Sequence, residues 1–142
     1  MQISARNQLT GSVSGIKLGS VNNEIVLTLG EGEQLTTVIT QESCKTLGLS
    51  VGKTAIAIIK APWVVLAKPD CGLIFSARNQ FNGKVTHVIE GAVNSTIHLV
   101  TDKGMALTAI ITNESLQEMQ LTKGVDIIAL IKASSVMLAT EK

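Results

Sequence analysis

Ser4-Ala5-Arg6-Asn7-Gln8 returns letter for letter as Ser76-Ala77-Arg78-Asn79-Gln80, and the chain between the two copies repeats without a gap. A shift of 72 residues (76 − 4) places Thr40 on Thr112, Ser43 on Ser115 and Lys60 on Lys132. Of the 65 positions in 4–68, 29 are identical to their partners in 76–140, whereas about 4 matches would arise by chance at roughly 6% background identity. Solenoids carry many shorter periods, so one duplication of this length means two similar small domains. The identity of the matched residues is informative. Diverging cores keep only their apolar character, because volume-conserving swaps are tolerated. Here polar residues are identical in both halves: Ser, Arg, Asn and Gln at the start, Thr-x-Glu-Ser in the middle, Lys-Ala near the end. Such a pattern is expected of a polar site present twice.

Outward from the pentapeptide, Ile3–Leu9 reads as a strand with Gly11 after it, and Ser12–Leu18 alternates polar and apolar residues with the period of a half-buried strand. Glu24–Leu29, Gln34–Ile39, Thr54–Lys60 and Trp63–Ala67 follow, parted by glycine turns. The second copy gives Phe75–Phe81, Lys84–Ile89, Thr96–Thr101, Ala106–Ile111, Asp126–Lys132 and Val136–Ala139. Short strands between glycine turns predict an all-β fold with a small barrel in each half. Thr40-Gln41-Glu42-Ser43 breaks the pattern: a good N-cap, an acid in the first turn, then Leu47 and a stop at Gly48. Thr112-Asn113-Glu114-Ser115 does the same, so one short helix is expected per repeat. The predicted domains are residues 2–68 and 74–140, joined by a linker at 69–73 that is short enough to hold the halves close together.

Composition narrows the function. The chain has 142 residues, 45% hydrophobic, and a mean hydropathy of +0.35. It is too apolar for disorder and too interrupted by polar residues to span a membrane. No signal-peptide core opens it, so a cytoplasmic protein is expected. A net charge of +1 supplies no field for a polyanion. Trp63, Phe75 and Phe81 are the only aromatics, too few for the stacking platform of a single-stranded nucleic-acid groove. Cys44 and Cys71 have no ligand spacing, and Cys44 aligns with Leu116, as a buried hydrophobe would. His87 and His98 align with Gly15 and Val26, outside the repeated polar set. No metal is expected to be bound directly.

The repeated polar set suits an anion. Arginine offers a planar, permanently charged fork that fits tetrahedral oxyanions. If Arg6 and Arg78 lie mid-strand, Ser4 and Ser76 project to the same side as the guanidinium; the plainer alternative is that each arginine is solvated or paired with a glutamate. Thr40 and Ser43, with Thr112 and Ser115, add hydroxyls and free N–H groups at helix starts. Lys60-Ala61 and Lys132-Ala133 add an ammonium and a further N–H. The set holds no His or Cys, its one carboxylate per repeat (Glu42, Glu114) is accounted for by the helix start, and no phosphate-binding Gly-x-x-x-x-Gly-Lys loop occurs. Donors without a nucleophile or base describe a binding site, so no enzymatic activity is expected.

Ser-Ala-Arg-Asn-Gln, then Thr-x-Glu-Ser, Leu-x-x-Gly and Lys-Ala before a Val-Met-Leu type strand resembles the molybdate/tungstate-binding Mop domain. Two such domains in tandem resemble the di-domain molbindins, cytoplasmic molybdenum-storage proteins. The resemblance covers residues 2–68 and 74–140. It implies two OB-like five-stranded barrels, with molybdate or tungstate held between domains and between subunits, no other cofactor, and a homotrimer. The chain length leaves no room for the helix-turn-helix or ATPase to which this domain is attached elsewhere. By the same carry-over the oxyanion ligands are Ser4, Ala5, Arg6, Thr40, Ser43, Lys60 and Ala61, and Ser76, Ala77, Arg78, Thr112, Ser115, Lys132, Ala133 and Ser134. Asn7, Gln8, Asn79 and Gln80 have two readings, a second kind of site or the fixing of strand geometry. Repeat one departs from the pattern: Pro62-Trp63 stands where repeat two has Ser134-Ser135, and proline has neither N–H nor hydroxyl. The alternative is a small OB-type nucleic-acid or protein-interaction module, disfavoured by the missing aromatics and the low charge.

Overall fold

The computed structural model describes residues 2–142. Repeat one forms β1 (Asn7–Lys17), β2 (Asn22–Leu29), β3 (Gln34–Thr40), α1 (Gln41–Thr46) and β4 (Thr54–Ile59), then a 3-10 turn at Ala61–Trp63 and β5 (Val65–Ala67). Repeat two forms β6 (Asn79–Glu90), β7 (Asn94–Thr101), β8 (Ala106–Thr112), α2 (Asn113–Met119) and β9 (Asp126–Ile131), then a 3-10 turn at Ala133–Ser135 and β10 (Met137–Ala139). The fold is mostly β with one short helix per repeat, as the alternation and the two Thr N-caps predict.

Gly11 does not end a strand. Ile3–Leu9 and Ser12–Leu18 merge into β1, and Phe75–Phe81 and Lys84–Ile89 into β6. Each glycine sits where two strands press together: a Cβ on Gly11 would lie 2.6 Å from the Thr28 carbonyl oxygen, and on Gly83 2.4 Å from that of Val100. A side chain has no room there. Bulges between Val13 and Gly15, and between Val85 and His87, add the bend that curls each sheet.

The long strands also begin later than expected. Ser4 and Arg6, and Ser76 and Arg78, lie on irregular segments ahead of β1 and β6, not mid-strand. Glutamine side chains explain the difference. Gln8 Nε2 donates to the carbonyls of Ala5 (2.9 Å) and Ile3 (3.4 Å), and Gln80 Nε2 to those of Ala77 and Phe75 (both 3.0 Å). These carbonyls go to a local side chain instead of a strand partner.

All strand pairings are antiparallel, in two five-stranded sheets ordered β10-β4-β1-β2-β3 and β5-β9-β6-β7-β8. The last strand of each repeat has crossed to the other sheet. Val65 pairs with Leu130 and Leu66 with Ala129, while Met137 pairs with Ile58 and Leu138 with Ala57. Each sheet therefore has four strands from one repeat and a fifth from its twin. The exchanged Val64, Leu66, Val136 and Leu138 join the inward residues of both sheets, Ile25, Leu27, Ile97 and Leu99 among them, in one continuous core. At about 65 residues each repeat is near the lower limit for a single core, and sharing one relieves that shortage.

Two buried asparagines lock the halves together. Asn7 Nδ2 donates to the carbonyls of Ile59 (3.2 Å) and Thr108 (2.8 Å), and its Oδ1 accepts from the Thr108 N–H (2.8 Å). Asn79 makes the mirror set with Ile131 (3.1 Å), the Thr36 carbonyl (2.8 Å) and the Thr36 N–H (2.7 Å). Both amide donors are spent on backbone, so neither asparagine offers an N–H to a ligand. For Asn7 and Asn79, fixing geometry is the role the hydrogen bonds describe. Thr37 adds a tie by donating to the carbonyls of Val136 (2.8 Å) and Ala133 (3.2 Å), which holds repeat two's turn on β3.

Candidate functional site

Strand register brings the motifs together. In the second sheet Asn79 lies opposite Ile131, and Val65 opposite Leu130. Ser76–Arg78 ahead of β6, Lys132 after β9 and the turn Ala61–Trp63 ahead of β5 must therefore leave the sheet at the same end. A cleft of about 390 Å3 lies there, lined by Ser76, Ala77, Phe75, Leu130, Lys132 and Ser135 of repeat two and by Pro62, Trp63 and Val65 of repeat one. Its lining carries one cation and no carboxylate. In the first sheet Asn7 lies opposite Ile59 and Met137 opposite Ile58, so Ser4–Arg6 and Lys60 meet the turn Ala133–Ser135 in the same way. Ser-Ala-Arg and Lys-Ala thus converge within each repeat, and the third wall comes from the other repeat.

Burial divides the set by role. Ala5, Ala61 and Ala133 are buried and Ala77 is half-buried, while Ser4, Arg6, Lys60, Ser76, Arg78, Lys132 and Ser134 are exposed. The small alanines let the backbone pack closely while their neighbours face solvent.

Thr40 and Thr112 are N-caps, each accepting from the N–H three residues on at 3.1 Å, and their hydroxyls donate to the hydroxyls of Ser43 (2.8 Å) and Ser115 (3.0 Å). One role of the Thr and Ser is thus to start the helix. Thr40 and Ser43 line a separate cleft with Glu42, Thr46 and Leu47, closed by Met137 and Leu138 of β10. Within one chain, the cleft of Thr40 and Ser43 is not the cleft of Ser76 and Lys132.

The two arginines differ. Arg78 forms an ion pair with Glu24 on β2 of repeat one, the plainer of the two alternatives for an arginine here. At the matching position of repeat two stands Thr96, and among the described residues Arg6 has no ion pair. Glu24 escaped the sequence reading because it is not repeated. The lysines differ too: Lys60 Nζ lies 5.8 Å from the centroid of the Trp63 ring, within cation–π range. The non-identity at Pro62-Trp63 was the available signal for that contact.

Comparison with known proteins places these features in context. The TOBE domain profile matches residues 3–66 and 76–138. The molybdenum-pterin-binding protein MopA of Rhodobacter capsulatus is 42% identical over 140 residues, covering 98% of this chain and 52% of the relative. The molybdenum transport protein ModE of Herbaspirillum seropedicae is 37% identical over 142 residues, covering 100% of this chain and 53% of the relative. The chain spans about half the length of the curated relatives it matches. Among solved structures, the cytoplasmic molybdate-binding protein ModG with molybdate bound aligns with a TM-score of 0.94 at 42% identity, over 99% of this chain and 100% of that chain.

Proposed function

Because the chain belongs to the TOBE-domain family and carries that domain twice, we propose that it binds molybdate in the cytoplasm and serves molybdenum storage and homeostasis rather than catalysis. The observation that carries this reading is the strand register, which brings a Ser-Ala-Arg segment and a Lys-Ala turn to the same end of each sheet; in repeat two Ser76, Lys132 and Ser135 line a cleft there. It is supported by the close likeness to a protein crystallised with molybdate bound. The ligands are Ser4, Ala5, Arg6, Lys60 and Ala61, and Ser76, Ala77, Arg78, Lys132, Ala133 and Ser134, with Thr40, Ser43, Thr112 and Ser115 completing sites from a neighbouring subunit. Thr40 and Ser43 of repeat one lie in a different cleft from Ser76 and Lys132 of repeat two, and in our reading a neighbouring subunit brings such groups together. Three chains in a closed ring supply such neighbours.

Donor-rich ligands also set selectivity. Near neutral pH much of phosphate keeps a proton, and a proton facing donors in a dry site costs about 1–3 kcal/mol. Sulfate carries the same charge as molybdate but shorter bonds, so a rigid pocket leaves some donors unmet. Tungstate matches molybdate in charge and nearly in size and is expected to bind comparably.

Scanning calorimetry tests the reading directly. A ligand at a hundred times its Kd stabilises the folded state by about 2.7 kcal/mol, so molybdate should raise the melting temperature clearly and phosphate should not. An unchanged melting temperature at millimolar molybdate would end the proposal.

A further inference from the structure

The duplication copies Lys60-Ala61 as Lys132-Ala133, and the backbone copies it too. The lysines precede 3-10 turns with φ, ψ of −69°, 138° and −65°, 137°, and each turn closes with an N–H donated to the alanine carbonyl. Only two side chains differ, Pro62-Trp63 against Ser134-Ser135. They change what each lysine can do. Lys60 Nζ rests over the Trp63 ring at 5.8 Å, and among the described residues no aromatic ring holds Lys132. The ring draws the ammonium toward itself, so moving it to an anion elsewhere in the cleft costs part of that attraction. Pro62 removes the hydroxyl and N–H that Ser134 retains. Trp63 is 44% exposed, so packing alone does not explain a tryptophan here. The same ring lines the cleft that contains Ser76 and Lys132. One residue therefore borders one half's lysine and holds the other's.

We propose that Trp63, with Pro62, makes the two halves unequal: Lys60 is held in reserve on the indole, and tetrahedral oxyanions bind chiefly through Lys132. The inference rests on the anion-binding reading above and deepens it. An exposed cation–π contact corresponds to about a two- to fivefold change in affinity, and the missing donors at Pro62 add to it.

The test is a molybdate titration by calorimetry on Lys60→Ala and Lys132→Ala, each made in the native chain and in a Pro62→Ser/Trp63→Ser background. That background reproduces a turn sequence which repeat two already folds with. In the native chain Lys132→Ala should weaken binding at least about twofold more than Lys60→Ala. In the Ser-Ser background the gap between the two losses should shrink by about two- to fivefold, the ion pair of Arg78 with Glu24 being left in place. Equal losses in the native chain, or a difference that is undiminished in the Ser-Ser background, would overturn the proposal. Ser135→Trp, the inverse graft, should make Lys132→Ala less costly, and an unchanged cost would clear the indole of the effect. Absence of binding heat from the native protein would sink the anion reading itself, a result distinct from binding with equivalent lysines.

Discussion

Arg6 and Arg78 occupy matched positions in different surroundings, and repeated identity alone does not report that difference. The Glu24 carboxylate already engages the Arg78 guanidinium, whereas Arg6 is exposed with no such partner among the described residues. Arg6 is therefore the better probe of anion binding. Arg6→Ala should weaken molybdate binding by about one to two decades, the value of a charge-assisted hydrogen bond, while the unfolding midpoint stays put. If equilibrium dialysis finds affinity intact and the midpoint lowered, the arginine is structural. Ser-Ala-Arg-Asn-Gln stands out in the sequence because its polar letters are kept twice, yet repetition does not separate its structural members, Asn7, Gln8, Asn79 and Gln80, from the exposed serines and arginines. Glu24 does not stand out, because an unrepeated glutamate in a strand looks like any solvent-facing residue.

Elements show where local signals suffice. The helix starts are written in Thr40 and Thr112, since an N-cap acts within three residues. The helix ends are solved differently: Gly48 follows α1 with φ 64°, while Gln120 ends α2 at φ 52°, ψ 47°. A left-handed conformation costs a residue with a Cβ about 1–2 kcal/mol. Gln120→Gly is therefore expected to stabilise the protein by about 1 kcal/mol, less the extra freedom glycine has when unfolded. A lower urea midpoint would contradict this. The asparagines work across elements. Asn79→Ala removes three hydrogen bonds and leaves the Thr36 N–H and carbonyl without that partner. At about 1–3 kcal/mol per buried unsatisfied group, a loss of roughly 2–4 kcal/mol is expected. A midpoint shift below about 1 kcal/mol would mean that water replaces the amide.

For the whole molecule the exchange of β5 and β10 matters most. It makes the two halves one folding unit with one core and places each repeat's turn against the other's Ser-Ala-Arg segment. It also leaves Trp63, Val65 and Met137 exposed beside the clefts. Exposed apolar residues of this kind are what contact with another subunit would cover. Sedimentation equilibrium at micromolar concentration is expected to report about three chain masses. A stable monomer that still binds molybdate would remove the need for sites shared between subunits.

Duplication, alternation, capping and the polar letters kept twice determined that this is a mostly β protein of two similar repeats, each carrying the same set of polar residues. These signals act over a few residues or over exact repetition, so they survive without coordinates. Gly11 reads as a strand end in the sequence and lies inside β1 in the fold, because glycine's two uses, freedom in a turn and absence of a Cβ between strands, look identical in one dimension. Only the tertiary structure decided which repeat completes which sheet. Swapping two nearly identical strands leaves every hydrophobic pattern, cap and turn unchanged, so no local signal distinguishes exchange from self-closure. The choice is made by register and by long-range hydrogen bonds such as those of Asn7 and Asn79. The same exchange brought Trp63 beside Lys132, 69 positions away (132 − 63).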